Sequence, residues 1–403
     1  MKSNKRIIGI IALIVVVITI TICAVAFISK KPEEHVSSNS YIVPSEPINE
    51  ISQSASKELK DYSIHYDTEF GGIYVDISIA DFNALGFKYG DSVNVDFTNG
   101  YQMKDLPYYN GYYVEYDEPL LVGYPGYDYI KLAINFGDDL WKIADVSDSD
   151  KCTITLNEAE KYLDTQKVRD IQYSDEQGDT PNEIFANFRS VNVGNLKENI
   201  LYRGASPIDN KHNRAPVVDK LLLSSGIQFI IDLADSEEEA RAFSNKENFD
   251  SPNYMCMLED DKIALLDMDA NFKSEAFSQK LVDGLTKASQ HEGPYYIHCQ
   301  EGKDRTGYVC MIVEALAGAN YQEIVDDYMV TYDNYYGISL EKDAERYNII
   351  KEQNIDKMLQ FVVGDGVDYK TTDLQQSVED YLLNRGMSAD SLDALKIQIQ
   401  KEA

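Results

Sequence analysis

Cysteine and histidine are scarce in this chain of 403 residues, with five of each. The cysteines are widely spaced and form no CxxC pair, so the sequence predicts neither a disulfide framework nor a zinc site. The histidines form no HExxH motif and no cluster with cysteine. We therefore expect no metal ion and no organic cofactor.

Basic residues are also few. The 37 lysines and arginines are outnumbered by 68 acidic residues, which gives a formal charge of -31. Such a surface repels nucleic acid and anionic lipid at long range, so nucleic acid is not an expected partner. The hydrophobic share of 44% permits a sizeable core, and the length predicts about two or three folded units.

The long apolar run of the sequence lies at the N-terminus. Ile7–Ile28 carries no charge, and as a helix it would be roughly 33 Å long, enough to cross a bilayer. Basic residues precede it, so the positive-inside rule places residue 1 in the cytoplasm. We expect a cytoplasmic stub and transmembrane anchor over residues 1–30, in a single-pass protein of the cell membrane with its bulk outside. The alternative is a cleaved signal peptide and a secreted protein, because Ala24–Ala26 resembles a cleavage site.

A polar linker is predicted over residues 31–56, followed by a β-rich module over residues 57–160. Alternation of polar and apolar residues indicates strands at Gly72–Ile77 and Ser92–Phe97. The dipeptide Asn99-Gly100 between strand segments is typical of a hairpin turn. Together with further short strands, this pattern predicts a small barrel or sandwich.

Nine tyrosines crowd one part of this module. They are Tyr101, Tyr108, Tyr109, Tyr112, Tyr113, Tyr116, Tyr124, Tyr127 and Tyr129. One interpretation is a stacking surface for a glycan or a partner protein. The other is a set of ordinary half-buried strand residues, which β propensity favours. The sequence leaves both open.

After a connector over residues 161–180, the pattern of residues 181–403 changes to strands alternating with helices. Gln228–Leu233 and Tyr295–His298 are predicted as buried strands. The predicted helices that follow are Thr306–Ala317, Tyr321–Tyr332, Leu340–Gln353 and Leu374–Arg385. This order predicts an α/β domain with a central, mostly parallel sheet flanked by helices.

Cys299 and Arg305 form a Cys-x5-Arg segment between a predicted strand and a predicted helix. A loop of this length can aim successive backbone N–H groups at one point, and the helix dipole adds to that positive potential. The same field stabilises a thiolate, so Cys299 is the expected nucleophile. The planar guanidinium of Arg305 is suited to holding two phosphate oxygens.

The expected phosphate-binding residues of this segment are Gln300, Glu301, Gly302, Lys303 and Gly307. The two glycines are expected to permit a tight backbone. Thr306 is expected to donate its hydroxyl to the Cys299 sulfur, and His298 to hydrogen-bond the loop and hold Cys299. A Walker A loop requires Ser or Thr after Gly-Lys, whereas Asp304 occupies that position here.

The run His298–Gly307 resembles the HCxxGKDRTG signature of a bacterial tyrosine-protein phosphatase family, which includes dual protein and phosphoinositide phosphatases. Asn187–Arg189 with Ile200–Ala205 resembles that family's NFRD…LYRSG opening, and Gly226–Leu233 resembles its GIxxIIDLR strand. The resemblance covers roughly residues 181–397. It implies a cysteine-dependent phosphatase that forms a phosphocysteine and acts on a phosphorylated protein or a small phosphomonoester.

Three positions depart from the family pattern: Ala234 replaces an arginine, Ser190 replaces an aspartate, and Glu301 places a carboxylate in the loop. The last departure argues against a polyanionic substrate, so we expect phosphotyrosine or a related phosphomonoester. The alternative is a phosphoinositide or inositol phosphate. A second alternative is a non-catalytic cell-surface protein that binds a phosphorylated or glycan ligand.

The proton donor for the leaving group has two candidate locations. The resemblance implies Asp304, which directly precedes Arg305. Other tyrosine phosphatases use an aspartate on an upstream loop, where Asp267 and Asp269 lie a suitable distance before Cys299.

Overall fold

The computed structural model describes residues 57–402, so the anchor predicted at Ile7–Ile28 and the linker lie outside the described residues. Over residues 57–402, no helix combines the length and the hydrophobicity needed to cross a bilayer. The chain divides into two compact units, the first ending at Gln166 and the second beginning at Lys167.

The first unit is a closed barrel with strand order β1-β2-β6-β5-β4-β3-β7. The strands are β1 (Glu58–Tyr66), β2 (Ile73–Ser78), β3 (Ser92–Phe97), β4 (Gln102–Tyr109), β5 (Pro119–Val122), β6 (Tyr129–Ile134) and β7 (Lys151–Glu158). Its short helices are α1 (Ile79–Ala84) and α2 (Leu140–Ile143), and α3 (Leu163–Arg169) leads into the second unit. Strand β2 shows why it folds this way: Ile73, Val75 and Ile77 are buried while the alternate residues are not. Of the two predicted architectures, the barrel is the one that forms.

The tyrosine run mostly packs within the barrel. Tyr108 and Tyr109 are buried, Tyr129 is exposed, and the other six are half-buried. Several of them line a small apolar cluster with Leu120 and Val122. Packing therefore accounts for most of the run, and a glycan or protein ligand on this surface stays a prediction.

The second unit contains a five-stranded sheet of order β11-β10-β12-β9-β8. The strands are β8 (Arg189–Val191), β9 (Leu201–Gly204), β10 (Phe229–Asp232), β11 (Ile263–Leu265) and β12 (Tyr295–His298). All neighbouring pairs are parallel except β8 and β9. In register, His298 pairs with both Asp232 and Gly204. The carboxyl ends of three strands therefore meet at one edge of the sheet.

Helices cover both faces of this sheet. They are α4 (Asn182–Phe185), α5 (Ala215–Ser224), α6 (Glu237–Ser244), α7 (Pro252–Glu259), α8 (Glu275–Ala288), α9 (Asp304–Leu316), α10 (Tyr321–Tyr336), α11 (Ala344–Gln353), α12 (Ile355–Val363), α13 (Leu374–Asn384) and α14 (Ala389–Ile399). Alternate residues of β10 enter separate cores: Phe229 and Ile231 pack with α8 and α9, whereas Ile230 packs with α5 and α7. The mostly parallel sheet flanked by helices agrees with the sequence prediction.

One predicted helix begins too early. The prediction started it at Leu340, whereas α11 begins at Ala344. The carboxylate of Asp343 accepts the backbone N–H of Arg346 at 3.1 Å, which caps the helix at that point.

Candidate active site

Cys299 directly follows β12, the middle strand of the sheet, and α9 begins five residues later at Asp304. We name residues 299–305 the phosphate loop. The Cys299 side chain is buried. Neighbouring strand ends hold the chain on both sides of it: the N–H of Leu233 donates to the carbonyl of His298 at 2.9 Å, and the N–H of Ser206 donates to that of Gln300 at 3.0 Å.

Gly302 is the residue by which the interior holds the phosphate loop. Its φ is +68°, and a Cβ atom there would lie 2.1 Å from the carbonyl oxygen of Gly204. The Gly302 carbonyl accepts hydrogen bonds from Arg203 Nη2 and Asn187 Nδ2, each at 3.2 Å. Both conformation and close approach therefore require glycine.

A buried ion network stands behind that carbonyl. Arg203 Nη1 lies 2.6 Å from Asp327 Oδ2, and Arg189 Nε lies 2.9 Å from Asp327 Oδ1. Burial acts to raise the pKa of Asp327, but the two arginines outweigh it and hold that pKa below its ordinary value. Removing one partner of such a buried pair costs about 3–5 kcal/mol, so the network firmly fixes the loop.

His298 is buried and contacts the first residue of the loop. Its Nδ1 lies 3.3 Å from the carbonyl oxygen of Cys299. Burial, opposed by Asp232, lowers the pKa of His298 from its ordinary value. The ring is therefore held neutral and serves as a hydrogen-bonding support.

Two expectations about α9 need correction. The buried Thr306 hydroxyl has no hydrogen-bond partner in the described part of the chain, so the expected bond to the Cys299 sulfur is not formed. Gly307 lies within the helix, and a Cβ atom there would come within 2.5 Å of the Tyr328 ring. Gly307 is thus required for packing against α10, whereas the tight backbone depends on Gly302.

Glu301 is bonded to protein groups on both carboxylate oxygens. Oε1 accepts the Tyr173 hydroxyl at 2.8 Å, and Oε2 lies 3.3 Å from Lys303 Nζ. Burial acts to raise the pKa of Glu301, but Lys303 and Tyr173 outweigh it and lower that pKa overall. Its negative charge is therefore balanced locally by Lys303, which the sequence did not indicate.

The candidate acids are near Arg305, one as its neighbour in the sequence and two on a loop that its side chain contacts. Arg305 Nη1 donates to the carbonyl of Met268 at 2.7 Å, which places the loop containing Asp267 and Asp269 beside the guanidinium. Both aspartates are exposed. Asp304 is the first residue of α9, and its carboxylate is 46% exposed and lies 3.7 Å from Lys303 Nζ.

The family model described as "Tyrosine phosphatase family" matches residues 183–400, more than half of the 403 residues. This chain belongs to the tyrosine phosphatase family. The predicted family resemblance is therefore confirmed, and the protein is a cysteine-dependent phosphatase. No curated protein sequence is significantly similar to this phosphatase.

Two solved structures share low similarity with the phosphatase. An uncharacterized conserved protein from Thermotoga maritima is 19% identical over 30% of this chain and 42% of its own, with a TM-score of 0.21. The core catalytic domain of the PP-IP phosphatase SIW14 from S. cerevisiae, in complex with citrate, is 21% identical over 43% of this chain and 88% of its own, with a TM-score of 0.25. The phosphatase thus spans less than half of the Thermotoga protein.

Sequence reasoning missed three residues at the phosphate loop. Tyr173 comes from the predicted connector, and Tyr335 donates its hydroxyl to the Glu301 carbonyl at 2.7 Å from the end of α10. Asp235 is buried just beyond β10. Only Asp235 carried a signal, because it follows a strand whose carboxyl end was predicted to lie beside that of Tyr295–His298.

Replacement of Gly302 by alanine tests whether the loop depends on its fit against Gly204. The left-handed φ costs about 1 kcal/mol or more for alanine, and the clash with the Gly204 carbonyl adds displacement of the loop. We expect a lower unfolding temperature and loss of most turnover of p-nitrophenyl phosphate. Gly337→Ala is the matched control, because Gly337 has φ +64° and an added Cβ meets nothing within 4 Å. Equal losses in the two variants would contradict the account.

Proposed function

We propose that this phosphatase hydrolyses phosphomonoesters through a phosphocysteine at Cys299, with phosphotyrosine or a related monoester as substrate. The observation that carries the proposal is the position of Cys299 between the central strand β12 and the N-terminus of α9. Arg305, in the first turn of α9, is the phosphate clamp. The positive end of the helix dipole stabilises both a thiolate and a bound phosphate.

The reaction has two steps. The Cys299 thiolate attacks phosphorus, a sulfur–phosphorus bond forms, and the ester phosphorus–oxygen bond breaks as an acid donates a proton to the leaving oxygen. A water molecule then attacks phosphorus and gives a proton to the carboxylate formed in the first step, and the sulfur–phosphorus bond breaks to release phosphate. Arg305 offsets the charge on the phosphoryl oxygens throughout, where positioning and electrostatics dominate.

Asp304 is the proposed acid, with Asp267 or Asp269 as the alternative. Asp304 is supported by its place next to the clamp and by its partial exposure, which allows a leaving group to reach it. The alternative is supported by the hydrogen bond from Arg305 to Met268, which lies between those two aspartates.

A monoester is favoured over a phosphoinositide by the acidic character of the chain, with its formal charge of -31. A second phosphate group bound at the loop would have to pair with Lys303, but the ammonium group of Lys303 is already paired with Glu301. Family membership argues against a purely non-catalytic binding protein. The cell-surface location rests on the Ile7–Ile28 run alone.

Turnover is expected to require both the thiol and the guanidinium fork. Cys299→Ser should abolish turnover of p-nitrophenyl phosphate while phosphate still binds. Arg305→Lys should lower kcat about a hundredfold, because lysine keeps the charge but loses two-point geometry. Cys256→Ser is the control, since Cys256 is an exposed free thiol. Near-normal kcat in either active-site variant would refute the mechanism.

Glu301→Gln should shift substrate preference towards polyanions, because it removes the partner charge of Lys303. We expect the ratio of kcat/KM for an inositol polyphosphate to that for a phosphotyrosine peptide to rise about threefold at low salt and less at high salt. Tyr173→Phe is the matched control, since it removes the hydrogen bond to Glu301 and keeps the charge. An inositol polyphosphate preferred already by the unmodified protein would reverse the proposed ranking.

The acid is identified by leaving-group dependence. Asp304→Asn should slow a tyrosyl or alkyl ester by about a hundredfold or more and p-nitrophenyl phosphate far less, because nitrophenolate departs without a proton. The same variant should flatten the high-pH limb of the rate profile, where the donor loses its proton. If Asp267→Asn or Asp269→Asn shows both effects and Asp304→Asn shows neither, the acid belongs to the upstream loop.

A further inference from the structure

Asp235 is a buried carboxyl group beside the phosphate loop that the mechanism above does not use. Its backbone is fixed: the N–H donates to Asp232 Oδ1 at 3.1 Å, and the carbonyl accepts the N–H of Asp267 at 3.3 Å. The residue is only 5% exposed. Its Oδ2 atom is buried and has no hydrogen-bond partner anywhere in residues 57–402.

The groups that act on this carboxyl are mostly acidic. Burial is the largest influence and raises the pKa of Asp235, and Asp232, Asp209 and Glu239 raise it further. Arg305 acts in the opposite direction. Its guanidinium reaches the same strand end, because Nη1 donates to the carbonyl of Met268 at 2.7 Å and the Met268 N–H donates to the carbonyl of Leu233 at 2.9 Å. A buried carboxylate oxygen without a hydrogen-bond partner also disfavours the charged form, so we expect Asp235 to be the neutral acid at neutral pH.

Two neighbouring titratable groups, Tyr254 and His298, do not change charge where Asp235 is expected to ionise. The Tyr254 hydroxyl faces the same cluster and donates to Asp232 Oδ2 at 2.7 Å. Burial raises the pKa of Tyr254 well above its ordinary value, so the Tyr254 hydroxyl keeps its proton even at that ordinary value. Burial likewise lowers the pKa of His298, which stays neutral through the alkaline range.

We propose that Asp235 is a positioning residue for the phosphate clamp. As the neutral acid it leaves the charge of Arg305 free for a tetrahedral dianion, and as the carboxylate it competes with that dianion for the guanidinium. The inference rests on the proposed role of Arg305, and it places the control of anion affinity on the loop after β10.

Sulfate is the probe, because it is a tetrahedral anion whose charge is constant from about pH 6 to about pH 10, where an ordinary histidine, thiol or amine changes charge. The Cys299→Ser protein is used so that thiol ionisation does not contribute, and the sulfate Kd is measured by calorimetry across that range. We expect affinity to fall about tenfold towards the alkaline end, the change that one pKa unit of coupling corresponds to. Adding Asp235→Asn should remove the fall and leave the neutral-pH affinity unchanged.

Asp209→Asn in the same background is the matched control. It removes a nearby carboxylate and keeps Asp235, so it should retain the fall and move it towards lower pH, because Asp209 raises the pKa of Asp235. A flat profile for Cys299→Ser alone, or an equal fall with Asp235→Asn present, would overturn the inference and leave the proposed function standing. Sulfate binding that is absent, or that Arg305→Lys does not weaken, would overturn the clamp and the inference together. The first of these tests needs no change at Asp235, so it holds even if that variant fails to fold.

Discussion

The Gly302 carbonyl is the point at which the protein interior holds the phosphate loop. Arg203 and Asn187 both donate to it, and Arg203 is in turn fixed by Asp327 on α10. A buried guanidinium requires a carboxylate partner, so sheet, helix and loop depend on one another. This arrangement connects the hydrophobic core to the chemistry, because the loop that is held here carries both Cys299 and Arg305.

Charge around the loop is kept in balance although the chain as a whole is strongly acidic. Glu301 pairs with Lys303, and burial favours the neutral form of Asp235. The free positive charge that remains at the loop is that of Arg305, together with the N-terminal dipole of α9. Under the proposed function, one phosphoryl group uses both.

Local pattern was sufficient to predict where Cys299 and Arg305 lie in the fold. Cys299 and Arg305 at a strand–helix junction are defined by spacing, and the need for glycine at 302 follows from the turn that the spacing demands. Gly307 was predicted in the tight turn, but it lies inside α9 and packs against Tyr328 of α10, a contact that only the tertiary structure reveals. The Thr306 hydroxyl makes no hydrogen bond in the described residues, and its catalytic role stays a prediction. Tyr173 and Tyr335 were not predicted, since they reach Glu301 from segments 128 and 34 residues away.

The central claim is that the phosphoryl group passes through Cys299. Rapid acid quenching during turnover of a phosphotyrosine peptide, followed by peptide mass spectrometry, tests it most directly. We predict one HPO3 adduct on the peptide containing Cys299, present in the unmodified protein and absent in Cys299→Ser. A phosphoryl adduct on a different residue during turnover would contradict it.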